Sequence, residues 1–168
     1  AELANYQKNN TGNEFKNQQE LLKKYELTFS QQKELYDYSQ DIKIDFLTSV
    51  FDFKSLDFVL QELNLNRIKI GSGELTNLPL IYQIGLSHKK ILISTGMSTL
   101  EEIRLALMSF YLGFKDEIPS LKLFENNSFI EEFNHWLFKQ GPHLITLLHC
   151  VSEYPTDIEN INLRSIHL

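Results

Sequence analysis

Apolar residues fall in two rhythms along this chain. Up to residue 41 they recur at roughly helical spacing. "NEFKNQQELLKKYEL" (13–27) places Phe15, Leu21, Leu22 and Tyr25 on one side, and "SQQKELYDYSQD" (30–41) offers Ser30 as an N-cap. From residue 42 short, nearly continuous apolar runs take over, each followed by an amphipathic stretch. "IKIDFLTSVF" (42–51) reads as a strand and "SLDFVLQELNL" (55–65) as a helix capped by Ser55. "RIKIGSG" (67–73) is a second strand, backed by a short helix, "NLPLIYQIGL" (77–86), with Pro79 in its first turn, where proline is tolerated. "KKILISTG" (89–96) is a third strand. Its helix starts at Ser98 with Glu101 three residues on, the spacing of a capping box. Residues 114–142 read as an insertion, with Pro119, a loop, and an aromatic helix that has a Ser128/Glu131 box and Gly141 as its stop. "HLITLLHC" (143–150) is the fourth strand.

Strand followed by helix, repeated, predicts parallel βα units, and strands apolar nearly throughout fit a sheet covered by helices. A doubly wound sheet and a (β/α)8 barrel both accommodate this pattern. A whole barrel needs about 250 residues, so four units make half of one.

Composition narrows the class without naming it. The 168 residues are 42% hydrophobic and 23% charged, an ordinary globular balance that can bury one core. The net charge of −6, with no basic run, argues against non-specific binding to nucleic acid or to an anionic membrane. No stretch approaches the roughly 20 apolar residues of a membrane-spanning helix. Cys150 is the single cysteine, which rules out a disulfide framework and suits a reducing cytoplasm. The chain opens without Met and ends on "NINLRSIHL", and it reads as a piece of something longer.

The strand ends carry the chemistry. The first strand finishes in Thr48-Ser49, the second in Gly71-Ser72-Gly73-Glu74, the third in Ser94-Thr95-Gly96 and the fourth in His149-Cys150-Val151-Ser152-Glu153-Tyr154. In parallel α/β folds this C-terminal edge binds ligands. Alternation sends Ile68 and Ile70 to one face and Lys69 to the other. A buried ammonium requires an anion, and serine hydroxyls with glycine-exposed amides beside a lysine form a phosphate or carboxylate site by type. The plainer alternative is a lysine that snorkels at an edge strand among ordinary turn serines.

"KIGSGELTNLPL", "ILISTGMSTLEEI" and "TLLHCVSEYPTDIENINLRSI" together closely resemble the sialic acid synthase family, whose members make N-acetylneuraminate, legionaminate and pseudaminate. "YQKNNTGNE" is similar to that family's segment ahead of the third barrel strand. The resemblance implies a (β/α)8 barrel of which residues 1–168 are a partial domain, strands three to six preceded by helices. It also implies a following antifreeze-like domain, absent from this chain, that reaches into a partner subunit's active site in a homodimer. The implied reaction condenses phosphoenolpyruvate with an N-acetylated amino sugar, typically N-acetylmannosamine. C3 of phosphoenolpyruvate attacks the sugar aldehyde, water adds to the oxocarbenium-like carbon, and C–O cleavage expels phosphate. A divalent metal (Mn2+ or Mg2+) polarises the aldehyde, and its two histidine ligands sit on the family's seventh and eighth strands, which have no match in this chain.

By motif, the resemblance implies that Lys69 and Ser72 bind phosphoenolpyruvate, with Ser94 of "STGM" as another phosphate contact. Ser49 falls where the family usually has threonine followed by proline, and Val50 replaces that proline. Ser152 occupies the place of an asparagine in some members. Glu74 matches a glutamate near both substrates, fit for proton transfer and for holding sugar hydroxyls. Tyr154 matches a sugar-contacting tyrosine, and Asn13 loosely matches a sugar-binding asparagine.

Other residues have plainer readings. His149 and Cys150 are neighbours on a strand and point to opposite faces, so a catalytic pair is not expected, and Cys150 reads as a buried thiol. His88, His135, His143 and His167 show no metal-ligand spacing. Trp136, Phe133 and Phe138 read as local packing of the inserted helix. Two rival functions stand beside the synthase: a non-catalytic remnant binding a phosphorylated ligand, and an unrelated phosphate-binding barrel such as an aldolase.

Overall fold

The computed structural model describes residues 2–12 and 14–167. Four strands, β1 (Ser49–Val50), β2 (Arg67–Ile70), β3 (Lys90–Ser94) and β4 (Ile145–Leu148), form one parallel sheet in the order β1-β2-β3-β4. Among the described residues nine α-helices accompany it: α1 (Asn5–Thr11), α2 (Gln18–Tyr25) and α3 (Phe29–Asp41) before the sheet, α4 (Phe53–Asp57) after β1, α5 (Leu78–Leu86) after β2 and α6 (Leu100–Phe114) after β3. In the insertion lie α7 (Leu121–Phe124), α8 (Asn127–Lys139) and α9 (Gly141–Leu144). Strand order equals chain order with no reversal, so the sheet has no switch point. That arrangement is the wall of a barrel and not a doubly wound sheet.

The two faces of the sheet differ as the alternation requires. Ile68, Ile70, Ile91 and Ile93 are fully buried and join one core with Leu56, Val59, Leu80, Ile84, Phe110 and Leu112 from the helices. Lys69, Leu92 and Thr146 share the other face, where exposure rises from half-buried Lys69 to exposed Thr146. β4 departs from the expected two-sided burial. Its Leu147 is 45% exposed, because no strand pairs with its far side.

Two glycines set how closely α5 and α6 pack. A Cβ at Gly85 would lie 2.2 Å from the carbonyl oxygen of Phe110, and one at Gly113 would lie 2.1 Å from that of Tyr82. The helices meet backbone to backbone there, and Ser109 adds a hydroxyl hydrogen bond to the Leu78 carbonyl. The insertion is tied to α6 in turn. Tyr111, 2% exposed, donates to Glu132 of α8 and packs against Phe129, Phe133 and Trp136. Desolvation and the Glu132 carboxylate together push its phenol up to about 12.

Several element ends shift from the sequence expectation. Thr28 and Asn126, not Ser30 and Ser128, cap α3 and α8. Asp52 caps α4 by accepting from Ser55 N–H, so Ser55 lies inside the helix, which ends early in a single π-type turn over Phe58–Glu62. Gly141 opens α9 and does not merely stop α8. The strand expected over 42–51 pairs only at Ser49–Val50, and Ile42, Ile44 and Leu47 stay exposed. Phe138, expected in local packing, is 84% exposed, whereas Trp136 and Phe133 do pack.

Candidate functional site

β2 is flanked by β1 on one side and β3 on the other, so Lys69 does not sit on an edge strand. Its register partners are Ser49 in β1 and Leu92 in β3. The ammonium turns toward the C-terminal end of the sheet and donates to the Ile70 carbonyl and to Ser94 Oγ, both at 2.6 Å. These partners are neutral acceptors, and among the described residues no carboxylate lies within ion-pair distance of Lys69. Burial holds the ammonium below the usual lysine range, with the nearby Cys150 thiol opposing that shift. A lysine in this state favours an added anion, which restores the charge that desolvation disfavours.

The neighbouring strand ends are locally rigid. Ser94 is 9% exposed and lies on the Lys69 face, two residues beyond Leu92. Thr95 ties β3 to β4 twice, its N–H and its hydroxyl both donating to the Leu148 carbonyl at 3.1 and 3.0 Å. Gly96 permits a close approach, since a Cβ there would stand 3.3 Å from the Cys150 carbonyl oxygen. This brings Cys150 Sγ within 3.4 Å of Ser94 Oγ. The thiol is half-buried and faces the site, where an inert core cysteine was expected. His149 turns elsewhere, its Nδ1 lying 3.4 Å from Ser165 Oγ, so the two residues form no pair.

Beyond β2 the chain makes a short 3-10 turn, Ser72–Glu74, started by Gly71, whose carbonyl accepts from Glu74 N–H at 3.0 Å. Glu74 is half-buried, and its Oε2 accepts from Asn77 Nδ2 at 2.9 Å. Asn77 also caps α5 through its Oδ1, so one side chain anchors both the helix start and the carboxylate. Sequence reading passed over Asn77 and gave Cys150 no place at the site. The Glu-x-x-Asn spacing ahead of Pro79 was the available signal for the first, and the in-line position of Cys150 two residues beyond Leu148 was the signal for the second.

The sequence-selected residues are thus placed unequally. Lys69 and Ser94 are in direct contact, Ser49 is beside Lys69 in register, and Ser72 and Glu74 follow from the same strand end. Ser152 and Tyr154 lie exposed in the loop after β4, and the Tyr154 carbonyl accepts from Asn10 Nδ2 at 3.3 Å, which links that loop to α1. Asn13 lies outside the described residues. Among the described residues no group of three His, Cys, Asp or Glu side chains could hold a metal ion, so these side chains do not fit a divalent metal. No helix is long and apolar enough to cross a membrane.

Comparison with known proteins gives the same picture over the whole length. The N,N'-diacetyllegionaminic acid synthase of Campylobacter jejuni is 36% identical over 99% of this chain and 42% of its own length. The synthase of the same name from Legionella pneumophila is 33% identical over 98% of the chain and 39% of its own length. The chain therefore spans about two fifths of the length of these relatives. Among solved structures, N-acetylneuraminic acid synthetase from Leptospira borgpetersenii, crystallised with citrate, shares the fold with a TM-score of 0.66 at 24% identity. That match covers 95% of this chain and 46% of the other. The four consecutive βα units are a partial (β/α)8 barrel. With the NeuB family matched over residues 1–168 and relatives named for legionaminic, pseudaminic and neuraminic acid synthesis, the chain belongs to the NeuB family.

Proposed function

We propose that residues 1–168 form the phosphoenolpyruvate-binding wall of a nonulosonic acid synthase. Such an enzyme joins phosphoenolpyruvate to an N-acetylated amino sugar, such as N-acetylmannosamine, and releases phosphate. The observation that carries this reading is Lys69, a half-buried ammonium on the inner face of a central strand, bonded to neutral oxygens and lacking a carboxylate. The carboxylate or phosphate of phosphoenolpyruvate supplies the missing charge, and Ser94, Ser49, Ser72 and Ser152 supply hydroxyls around it. Charge-assisted hydrogen bonds of this kind are about twice as strong as neutral ones, so the lysine is the main anchor.

In this reading the enol phosphate is held with C3 toward the sugar aldehyde. The new C–C bond forms there, water adds at C2, and the C2–O bond to phosphate breaks. Glu74, kept in place by Asn77, moves a proton at the sugar oxygens, and Tyr154 and Asn13 hold the sugar. A divalent metal, Mn2+ or Mg2+, would polarise the aldehyde when bound. The described residues do not fit it, and no role here is routed through it. A homodimer whose partner completes the site, with residues 114–142 as an insertion outside the chemistry, is part of the same proposal.

The test is steady-state kinetics of the whole synthase that carries this segment. Lys69→Ala is expected to raise the KM for phosphoenolpyruvate by about tenfold or more, the equivalent of about 1.4 kcal/mol, while the KM for the sugar changes little. An unchanged KM for phosphoenolpyruvate contradicts the proposal.

A further inference from the structure

The opposite end of the same sheet face also carries cations. Arg67 and Lys90 open β2 and β3 and are Cα partners in the parallel register. Their strand neighbours Ile68 and Ile91 are fully buried on the helix side, so Arg67 and Lys90 lie on the face of Lys69. With His143 and Thr146 they line a cavity of about 260 Å3 whose floor includes Leu92. No carboxylate lines it. Like charges directly opposite on neighbouring strands repel. Among the described residues neither Arg67 nor Lys90 has an ion-pair partner. In a chain with 22 Asp and Glu against 16 Lys and Arg, a carboxylate-free meeting of Arg67 and Lys90 runs against the overall charge.

We propose that this cavity is a second anion site, taking a small oxyanion, phosphate or carboxylate, at the N-terminal end of the sheet. Arg67 offers parallel N–H donors that match two oxygens of such a group, Lys90 a point charge, and His143 and Thr146 further polar contacts. Leu92 separates it from Ser94 along β3, and the Lys69 ammonium turns the other way, to the Ile70 carbonyl and Ser94, so the two sites fill independently. Chemistry in parallel barrels belongs to the C-terminal end. An anion at this end therefore acts as a stabilising or regulatory ligand and not as a substrate. It binds by relieving the repulsion between two strands, and added salt weakens it because the cations are exposed.

The experiment is a titration of the chain with inorganic phosphate, followed by backbone amide shifts in a two-dimensional 15N NMR spectrum. The account expects saturable shifts in two separate sets, one at residues 69–73 and 94–96 and a second at residues 66–68, 90–91 and 143–146. Lys69→Met should remove the first set and leave the second. The double variant Arg67→Gln/Lys90→Gln should weaken the second by about tenfold or more and leave the first, the same spectrum showing that the variant is folded. Absence of saturable shifts in the second set, or shifts unchanged in the double variant, overturns the second site without touching the Lys69 reading. Absence of the first set alone in the unaltered chain would count against Lys69 and leave this site standing.

Discussion

In the proposed function a single side chain, Lys69, is the main anchor of the anion. Lys69 could bind an anion only if it stood on a central strand, and its neighbours β1 and β3 put it there. Desolvation lowers its pKa, and an anion that binds the charged form must raise it again. The sign follows from linkage. The free site loses its proton on the low side of the ordinary lysine value of about 10.4, and affinity for phosphoenolpyruvate should hold through neutral pH and then decline as pH rises through that depressed value. Binding measured across alkaline pH checks this. Lys69→Arg, which cannot deprotonate, should flatten the decline, and a wild-type profile as flat as the arginine variant's would contradict it. The lysine was readable from the chain because a cation inside an alternating apolar strand has a determined face. The partners of Ser94 and Glu74 were not, because Cys150 and Asn77 reach them only through turns whose geometry no periodicity encodes.

At the level of elements, type was legible and ends were not. Ser98/Glu101 and Thr99/Glu102 both satisfy the capping-box spacing, and the tie is broken by tertiary geometry. Thr99 accepts from Glu102 N–H, while Ser98 turns its hydroxyl to the Gly96 carbonyl in the loop that approaches β4. The first strand was over-read for a similar reason, since apolar residues 42–48 lack a partner strand and pairing, not propensity, ends a strand. The closest packing, between α5 and α6, was likewise hidden, because Gly85 and Gly113 look like ordinary weak points in two helical patterns. Gly85→Ala should destabilise the fold by about 1–3 kcal/mol, since the added methyl group meets the Phe110 carbonyl and the helices must separate. A urea-unfolding midpoint equal to that of the unaltered chain would show that the helices can part without cost.

For the molecule as a whole, the order of strands identified a barrel wall, and the chain's coverage of about two fifths of its curated relatives places four of the βα units here. The phosphate-type chemistry gathers at one end of one face, as parallel strands require, because alternation and register together bring Ser49, Lys69 and Ser94 to the same side. The residue expected to contact the sugar was harder to place: Tyr154 sits 58% exposed in a loop, and nothing in the strands constrains it. The central claim is that this wall by itself recognises phosphoenolpyruvate through Lys69. Isothermal titration of residues 1–168 with phosphoenolpyruvate tests it most directly. The account predicts a saturable site that Lys69→Met weakens by about tenfold or more, distinct from any binding at Arg67 and Lys90, which that variant leaves in place. Equal binding by the chain and by Lys69→Met would contradict it.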